Sequence, residues 1–288
     1  MEKVLVTGSC GFIGHHLVKE LVARGYYVIG VDNLSNGVIG HRSLSNEFYQ
    51  MDVADITPRI LTGVKWVFHL AALPRVPFSV QYPRETHEAN VNQTLELLLT
   101  ARDCGVQKVI YSSSSSVYGG GQLPSVETAP TTPLSPYAVQ KLAGELYAEV
   151  FRTVYDLPTV SLRYFNVYGE EQPADNPYTG VITKYIDFKK QGQALTIFGD
   201  GNQSRDFTYV GDVVAANILT AEKGEGVYNV GTGTSYTIRS LAEMFGGNII
   251  HLPERPGDPK ASLADSTKLQ SIGWKPKMTL PDWIAQLP

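Results

Sequence analysis

Three glycines near the amino terminus constrain the fold of this chain more than any other feature. Gly8, Gly11 and Gly14 follow the apolar, β-branched run 4–7 and lead into a segment with helical periodicity that begins near Phe12. A strand, a glycine turn and a helix in this order let backbone N–H groups approach a phosphate at the helix N-terminus. The pattern therefore predicts a dinucleotide-binding βαβ unit.

Further apolar runs recur along the first half of the chain and alternate with helical segments. Strands are expected at 27–31, 48–51, 66–70, 108–112 and 159–163, with helices that include 90–104 and 136–155. Near-continuous apolar runs are typical of parallel strands that are buried on both faces. The alternation predicts an α/β protein with a Rossmann-type doubly wound parallel sheet.

The second half is more irregular, with proline and glycine clusters at 169–180, 198–202 and 253–259. Helices are expected at 180–191 and 212–223, and strands at 195–198, 208–210 and 226–230. We expect the Rossmann domain to cover 1–167 and a smaller mixed α/β substrate domain to cover 168–288. A segment near 203–232 is expected to return to the first sheet.

Composition excludes several classes of function. The 288 residues carry a formal net charge of −4, which leaves no basic footprint for nucleic acid. No apolar run approaches the ~20 residues that span a bilayer. With two cysteines there is no disulfide framework, so a cytoplasmic protein is expected. We also expect no metal site.

Two strand ends carry acidic residues that suit a dinucleotide. Asp32 lies about 20 residues after the glycine turn, where a carboxylate accepts from a ribose hydroxyl. Because it would repel the 2′-phosphate of NADP, NAD is the expected cofactor. Asp52 follows the next strand and either accepts from an exocyclic adenine amine or is simply solvated.

A tyrosine and a lysine are spaced for one catalytic site. Tyr137 and Lys141 lie four residues apart on a helix that Pro136 opens, so both face the same way. A free tyrosine titrates near pH 10, and a nearby ammonium favours the phenolate that a general base needs. The serine run 112–116 follows a parallel strand, at the edge where such folds bind ligands. Position alone does not choose among its five serines.

Taken in order, these motifs resemble those of one known family. They comprise the glycine turn, Asp32, 69–72, Asn90, 112–119, Tyr137 with Lys141, and 163–169, followed by 198–201, 205–210, 228–231 and 255–258. Together they resemble the extended short-chain dehydrogenase/reductase superfamily. Within it they are similar to nucleotide-sugar epimerases of the UDP-galactose (UDP-glucose) 4-epimerase type.

The resemblance implies an NAD enzyme in which Ser114 is the catalytic serine, Tyr137 the base, and Lys141 its partner. The residues expected to contact NAD are Gly8, Gly11, Phe12, Ile13, Gly14, Asp32, Asn33, Asp52, Val53, Leu70, Ala71, Ala72, Asn90, Ser112, Tyr137, Lys141 and Tyr164.

For the UDP-sugar, the resemblance implies that Asn166 bonds a phosphate and that Arg205 and Arg255 neutralise the diphosphate. Asp258 would bond the nucleotide ribose, and the small Ser262 would leave room for an N-acetyl group. The complete set of expected substrate contacts is Ser114, Ser115, Asn166, Val181, Arg205, Arg255, Asp258 and Ser262.

Two features narrow the reaction within the family. Dehydratases and decarboxylases of this type carry an acid within the segment that here is Ser114-Ser115-Ser116, so epimerisation at C4 is favoured. Pro74 stands where some 4-epimerases carry a cofactor-binding lysine, and Arg75 follows it; Arg75 either serves an anionic sugar such as glucuronate or lies on the surface. A nucleotide-sugar reductase or dehydratase and a non-enzymatic NAD sensor stay as alternatives.

Relatives pair the helices 90–104 and 136–155 into a four-helix bundle, which implies a homodimer.

Overall fold

The computed structural model describes residues 1–173, 180–254 and 260–287. Within them the strands are β1 (Lys3–Thr7), β2 (Tyr27–Asp32), β3 (Glu47–Gln50), β4 (Val64–His69), β5 (Lys108–Ser114), β6 (Thr159–Tyr164), β7 (Val167–Tyr168), β8 (Leu195–Phe198), β9 (Ser204–Asp206), β10 (Thr208–Tyr209), β11 (Gly226–Val230), β12 (Ser235–Thr237) and β13 (Ile249–Leu252). The α-helices are α1 (Phe12–Ala23), α2 (Pro58–Leu61), α3 (Val76–Gln81), α4 (Pro83–His87), α5 (Gln93–Asp103), α6 (Pro136–Val154), α7 (Val181–Lys190), α8 (Val210–Lys223), α9 (Ile238–Phe245), α10 (Thr267–Ser271) and α11 (Leu280–Ile284).

A sheet of seven parallel strands organises the first part of the molecule. Its order is β3-β2-β1-β4-β5-β6-β11, and neighbouring strands pair in parallel throughout. The chain order reverses between β1 and β4, which opens a crevice at the carboxyl ends of these strands. The predicted Rossmann-type sheet is confirmed.

Helices cover both faces of this sheet, as its apolar strands require. Leu17 and Leu21 of α1 and Val213 of α8 pack in one core, while Leu97 of α5 and Phe151 of α6 pack in the other. All five side chains are nearly inaccessible to solvent. Burial of each such side chain contributes about 1.5–3 kcal/mol, so the sheet forms a stiff platform for groups at its edge.

The second half contributes to both parts of the molecule. β11 pairs with β6 and α8 packs on the sheet, as the returning segment predicted, whereas β9 pairs antiparallel with β12 outside it. A separate core, which includes Tyr168, Ile197, Leu241 and Trp283, joins α7, α9 and α11. The division at residue 167 stays a prediction.

Local boundaries differ from expectation where tertiary pairing extends an element. The strand expected at 108–112 continues to Ser114, because Ser113 and Ser114 pair with Arg163 and Tyr164 of β6. A π-helical turn, Glu88–Asn92, precedes α5 at the start of the helix expected at 90–104. Among the described residues, no helix combines the length and apolarity needed to cross a membrane.

Candidate active site

The glycine turn brings three backbone segments into contact that a side chain would separate. Gly8 has φ +68°, and a Cβ there would lie 2.8 Å from the Ala71 nitrogen at the end of β4. A Cβ on Gly14 would lie 1.9 Å from the Gly8 carbonyl oxygen. Helix α1, with Phe12 and Ile13 in its first turn, therefore begins directly at the sheet edge. This cradle without side chains fits the pyrophosphate of a dinucleotide.

Asp32 ends β2 beside this turn and is buried. Its carboxylate accepts from the backbone nitrogens of Cys10, at 2.9 Å, and Leu34, at 2.7 Å. These bonds hold the carboxylate in place and leave acceptor capacity for two ribose hydroxyls. Asn33 donates to Asp52 at 2.6 Å, which joins the ends of β2 and β3. Asp52 is thus partnered within the protein, next to the buried Val53.

A buried histidine supports the segment 70–72 at the end of β4. His69 accepts from the Thr7 hydroxyl at Nδ1, 2.8 Å away, and donates from Nε2 to the Thr94 hydroxyl at 2.9 Å. Thr94 in turn donates to a backbone carbonyl, which defines this tautomer. Burial lowers the pKa of His69 to about 3, with Lys141 adding to the effect. The ring is therefore neutral and holds the strand end that leads into the partly buried residues Leu70, Ala71 and Ala72.

Asn90, an expected cofactor contact, is engaged by the protein itself. Its amide nitrogen donates to the Leu73 carbonyl at 3.1 Å and to Gln140 at 2.9 Å, and its oxygen accepts from the Leu73 nitrogen. Both amide hydrogens are used, so only an acceptor lone pair remains for a ligand. Asn90 therefore links the segment after β4 to α6 through hydrogen bonds.

Lys141 extends from α6 to the end of β5 and is buried. Its ammonium donates to the Ser112 carbonyl at 2.7 Å. Burial lowers the pKa of Lys141 to about 8, against the opposing charge of Glu145. The Ser112 hydroxyl bonds Tyr164 at 3.0 Å, and Tyr164 donates to Asn217 at 2.9 Å. These hydrogen bonds fix the positions of Lys141, Ser112 and Tyr164. We call this group, at the carboxyl ends of β5 and β6, the floor of the crevice.

Tyr137 and Ser114 meet at this floor through a side-chain hydrogen bond. Burial raises the pKa of Tyr137, while the bond from Ser114 and the charge of Arg75 lower it. Ser114 caps the short turn Ser115–Tyr118 by accepting from the Ser116 nitrogen at 3.2 Å. The structure thus brings Ser114 to Tyr137, a choice among the five serines that position in the sequence left open.

Arg75 belongs to this site rather than to the surface. It begins α3 with φ +102°, and its carbonyl accepts from Ser79, whose hydroxyl accepts from the Tyr137 nitrogen at 3.0 Å. Its Nε atom is buried and has no hydrogen-bond partner among the described residues. Burial lowers the pKa of Arg75, and the phenol of Tyr137 opposes this. A second cation besides Lys141 therefore acts on the site.

An ion pair behind the floor was not anticipated from the sequence. Arg163 and Glu145 are almost fully buried and approach to 2.7 Å. Glu145 also accepts from the Ser113 hydroxyl, and Arg163 donates to the Tyr118 hydroxyl at 2.8 Å. The ion pair and these hydrogen bonds link β5, β6 and α6, and two of these elements carry Ser114 and Lys141. Its signal in the sequence is Arg163, a charged residue within the otherwise uncharged and buried strand β6.

Six of the eight expected substrate residues lie within the part of the chain that the structure describes, and two do not. Asn166 follows β6 and donates to the Asp206 carbonyl at 2.9 Å and to the Ser262 hydroxyl at 3.1 Å. Ser115 lies beside Ser114, and Val181 begins α7. Arg205 lies on β9, while Arg255 and Asp258 lie outside the described residues. Ser262 thus packs directly on Asn166.

Asp206 is adjacent to Arg205 in the sequence, but its carboxylate accepts hydrogen bonds from other segments of the chain. Its buried carboxylate accepts from the Thr232 nitrogen and hydroxyl, from Gly233 and from Ala264, at 2.7–3.1 Å. Burial raises its pKa while these bonds lower it. Asp206 therefore joins β9 to the loop with Thr232 and Gly233 and to the segment with Ala264.

Comparison with known proteins gives consistent matches. Residues 4–231 match the NAD dependent epimerase/dehydratase family. The UDP-glucose 4-epimerase of Mycolicibacterium smegmatis is 37% identical, covering 99% of this chain and 96% of that protein. The Thermotoga maritima UDP-glucose 4-epimerase structure with UDP-glucose has a TM-score of 0.94 at 37% identity, covering 98% and 96% of the two chains.

A third relative binds a different sugar. The UDP-N-acetylglucosamine 4-epimerase from Methanobrevibacter ruminantium, in complex with UDP-N-acetylmuramic acid, has a TM-score of 0.93 at 40% identity. The match covers 99% of this chain and 97% of that one.

Proposed function

The chain belongs to the NAD-dependent epimerase/dehydratase family, and on this premise we propose that it is an NAD-dependent nucleotide-sugar 4-epimerase acting on UDP-hexoses. UDP-glucose and UDP-galactose are the expected pair, and N-acetylhexosamine forms are further substrates. The observation that carries the proposal is the meeting of Ser114, Tyr137 and Lys141 at the crevice beside the glycine cradle.

Each residue of the site has a separate role in the proposed reaction. Bound NAD supplies a reversible hydride acceptor at the sugar C4. Tyr137 takes the proton of the C4 hydroxyl as general base, and Ser114 positions that hydroxyl through its bond to the phenol. Lys141 holds the Ser112 carbonyl and places a positive charge near the nicotinamide end. When the sugar has turned to present its other face, Tyr137 returns the proton.

Rotation of the sugar requires a firm hold on the diphosphate and a loose sugar pocket. Arg205, Arg255 and Asn166 are proposed for the firm hold, with Asp258 on the ribose. Ser262, which already accepts from Asn166, leaves volume where an N-acetyl group would sit. The separation of these two tasks supports tolerance of both hexose and N-acetylhexosamine substrates.

The test is a panel of UDP-glucose, UDP-N-acetylglucosamine and UDP-glucuronate with the full chain, the products being separated by chromatography. We expect C4 epimers at equilibrium with no net change in absorbance at 340 nm. A stoichiometric change at 340 nm would instead indicate a reductase, and loss of water from the product a dehydratase. Absence of any turnover with bound NAD would support a sensor.

Arg75 favours a second candidate, 4-epimerisation of a sugar that carries a carboxylate, such as UDP-glucuronate. Its guanidinium lies beside Tyr137 with a buried Nε that lacks a partner among the described residues, and an unpaired buried donor is costly. A sugar carboxylate would satisfy it with a charge-assisted bond. A similar solved structure is in complex with UDP-N-acetylmuramic acid, a UDP-sugar that also carries a carboxylate.

The prediction for Arg75 is a change in selectivity. In Arg75→Met, the ratio of kcat/KM for UDP-glucuronate over UDP-glucose should fall about 10- to 100-fold, as expected for a lost charge-assisted bond. The ratio cancels any common effect of the charge on Tyr137. Arg75→Lys should give an intermediate ratio, because it keeps the charge without the fork of donors. An unchanged ratio would remove the uronate candidate and leave hexose epimerisation intact.

A homodimer through α6 and its neighbour α5 is part of the proposal. Val139, Leu146, Val150 and Val154 expose an apolar face along α6 that a second copy would cover. By contrast, Leu97 and Leu98 of α5 are buried within the chain, so α6 supplies most of the proposed contact. The cytoplasmic location stays a prediction.

A further inference from the structure

Three side chains from separate elements meet next to the glycine turn, outside the site described above. His15 lies in α1, His41 in the short helix Ile39–Leu44, and Glu171 in the segment after β7. Glu171 Oε2 lies 3.2 Å from His15 Nε2 and 3.4 Å from His41 Nε2. The three atoms all lie within 4.8 Å of one another.

The other nitrogen of each imidazole identifies its tautomer. His15 Nδ1 lies 2.9 Å from the Gly11 carbonyl oxygen, and His41 Nδ1 lies 3.2 Å from that of Cys10. Because a carbonyl oxygen only accepts, each Nδ1 carries a hydrogen, and in the neutral ring each Nε2 presents a lone pair. Two lone pairs therefore face a carboxylate oxygen.

His15 makes this arrangement costly for the bare protein. Its side chain is 0% exposed, and its Nε2 has no hydrogen-bond partner among the described residues. When both rings are neutral, their Nε2 lone pairs and the carboxylate oxygen repel one another. A cation bound between these three atoms would replace the repulsion with attraction.

We propose that His15, His41 and Glu171 bind a divalent cation of the Zn²⁺ class. Tetrahedral Zn²⁺ with ligands at about 2.0–2.2 Å separates neighbouring ligand atoms by roughly 3.3–3.5 Å, close to the separations from the carboxylate to each ring. Two imidazoles and one carboxylate are a ligand set that this ion accepts, with water completing the shell.

The surrounding contacts hold the ligands in the required orientation. The two carbonyls that anchor the Nδ1 atoms act as the outer hydrogen bonds usual for metal-ligating histidines. Lys19 donates to both oxygens of Glu171, at 3.0 Å to Oε1 and 3.3 Å to Oε2, which holds the carboxylate in position, although its charge weakens attraction for a cation. The two rings stack at 4.1 Å with planes 24° apart, so His41, 16% exposed on a surface turn, must tilt inward on binding.

A bound ion would connect three parts of the chain. It would tie the start of α1, which follows the phosphate cradle, to the turn after β2 and to the segment that leads into the second half. Its expected effect is structural, because the cluster lies apart from Tyr137 and Lys141. The inference is therefore independent of which sugar the protein epimerises.

The test is calorimetric titration of the chelator-treated full chain with ZnCl2. We expect one Zn²⁺ per chain and an increase of Tm on binding, since a ligand of the native state stabilises it by mass action. His41→Gln and Glu171→Gln should each weaken binding at least about 100-fold, more than the 10- to 100-fold typical of outer-shell changes. His251→Gln is the matched control, because this exposed histidine on β13 bonds the Gly199 carbonyl at 2.8 Å instead.

Two results would overturn the proposal. One is absence of a stoichiometric Zn²⁺ site in the wild-type chain; the other is unchanged binding in both His41→Gln and Glu171→Gln. His15 is avoided as a variant because its full burial links it to folding. Replacing Zn²⁺ by Co²⁺ adds a direct readout, since histidine ligation of Co²⁺ gives visible absorption that His41→Gln should weaken.

Discussion

Tyr137 illustrates how surroundings set the chemistry of a single side chain. Burial raises its pKa, and the hydrogen bond from Ser114 and the charge of Arg75 lower it. The sequence suggested Lys141 as the cation acting on the phenol, yet its ammonium donates to the Ser112 carbonyl and lies 5.9 Å from the centroid of the Tyr137 ring. The positive charge of oxidised NAD would further favour the phenolate.

The corresponding prediction is that Tyr137→Phe loses turnover about 10²–10⁴-fold while it retains bound NAD, because only the general base is removed. Steady-state epimerisation and the absorbance of extracted cofactor measure the two quantities. Tyr147→Phe on the same helix is the control, since Tyr147 is partly exposed and should keep wild-type rate. A Tyr137→Phe enzyme with wild-type rate would refute the assignment.

At the scale of elements, α6 serves two surfaces at once. One face buries Lys141, Glu145 and Ala148 against the sheet, where they support the site. The opposite face exposes Leu146 and Val154, at 60% and 65%. Exposed apolar residues spaced along one helical face are a common interaction surface. The proposed catalytic lysine and the proposed dimer contact thus lie on one helix.

For this surface we predict that Leu146→Glu with Val150→Glu converts a dimer into a monomer, because buried unpaired carboxylates oppose association. Sedimentation velocity gives the mass directly. Ile250→Glu, at an exposed position on β13, is the matched control and should leave the assembly unchanged. If the wild-type chain sediments as a monomer, the proposed homodimer is wrong.

At the scale of the whole molecule, Asn229 of β11 joins distant parts of the chain. Its amide nitrogen donates to the carbonyls of Ser125 and Asp265 at 2.8 and 3.0 Å, and its oxygen accepts from Tyr118 at 2.7 Å. Tyr118 in turn accepts from Arg163. The returning strand therefore connects the loop after β5, the carboxyl-terminal segment and the buried ion pair.

Asn229→Leu should lower the free energy of unfolding by about 2–4 kcal/mol, because it leaves buried polar groups without partners. Urea unfolding followed by far-UV circular dichroism measures the change. Asn202→Leu provides the control, since that side chain is exposed and should alter stability by less than about 0.5 kcal/mol. Equal stability of Asn229→Leu and the wild type would contradict the proposed connecting role.

The parallel sheet, the glycine cradle and the placement of Tyr137 and Lys141 on one helix could be predicted from the amino-acid sequence. These depend on periodicity and on spacings of a few residues, which local backbone geometry converts directly into shared faces and tight turns. The return of β11 was also predicted from a short apolar run, because a buried strand has few alternatives to joining a sheet.

Ser114 was expected only through the family resemblance, and its hydrogen bond to Tyr137 comes from the folded structure. The place of Arg75 beside the site and the bonds of Asn90 to its own neighbours are also visible only in the folded chain. The ion pair between Glu145 and Arg163 and the cluster of His15, His41 and Glu171 are of the same kind. Each joins residues separated by 17 to 156 positions, as in the 73–90 and 15–171 pairs. Such contacts follow from how whole elements pack, and no local pattern along the chain encodes them.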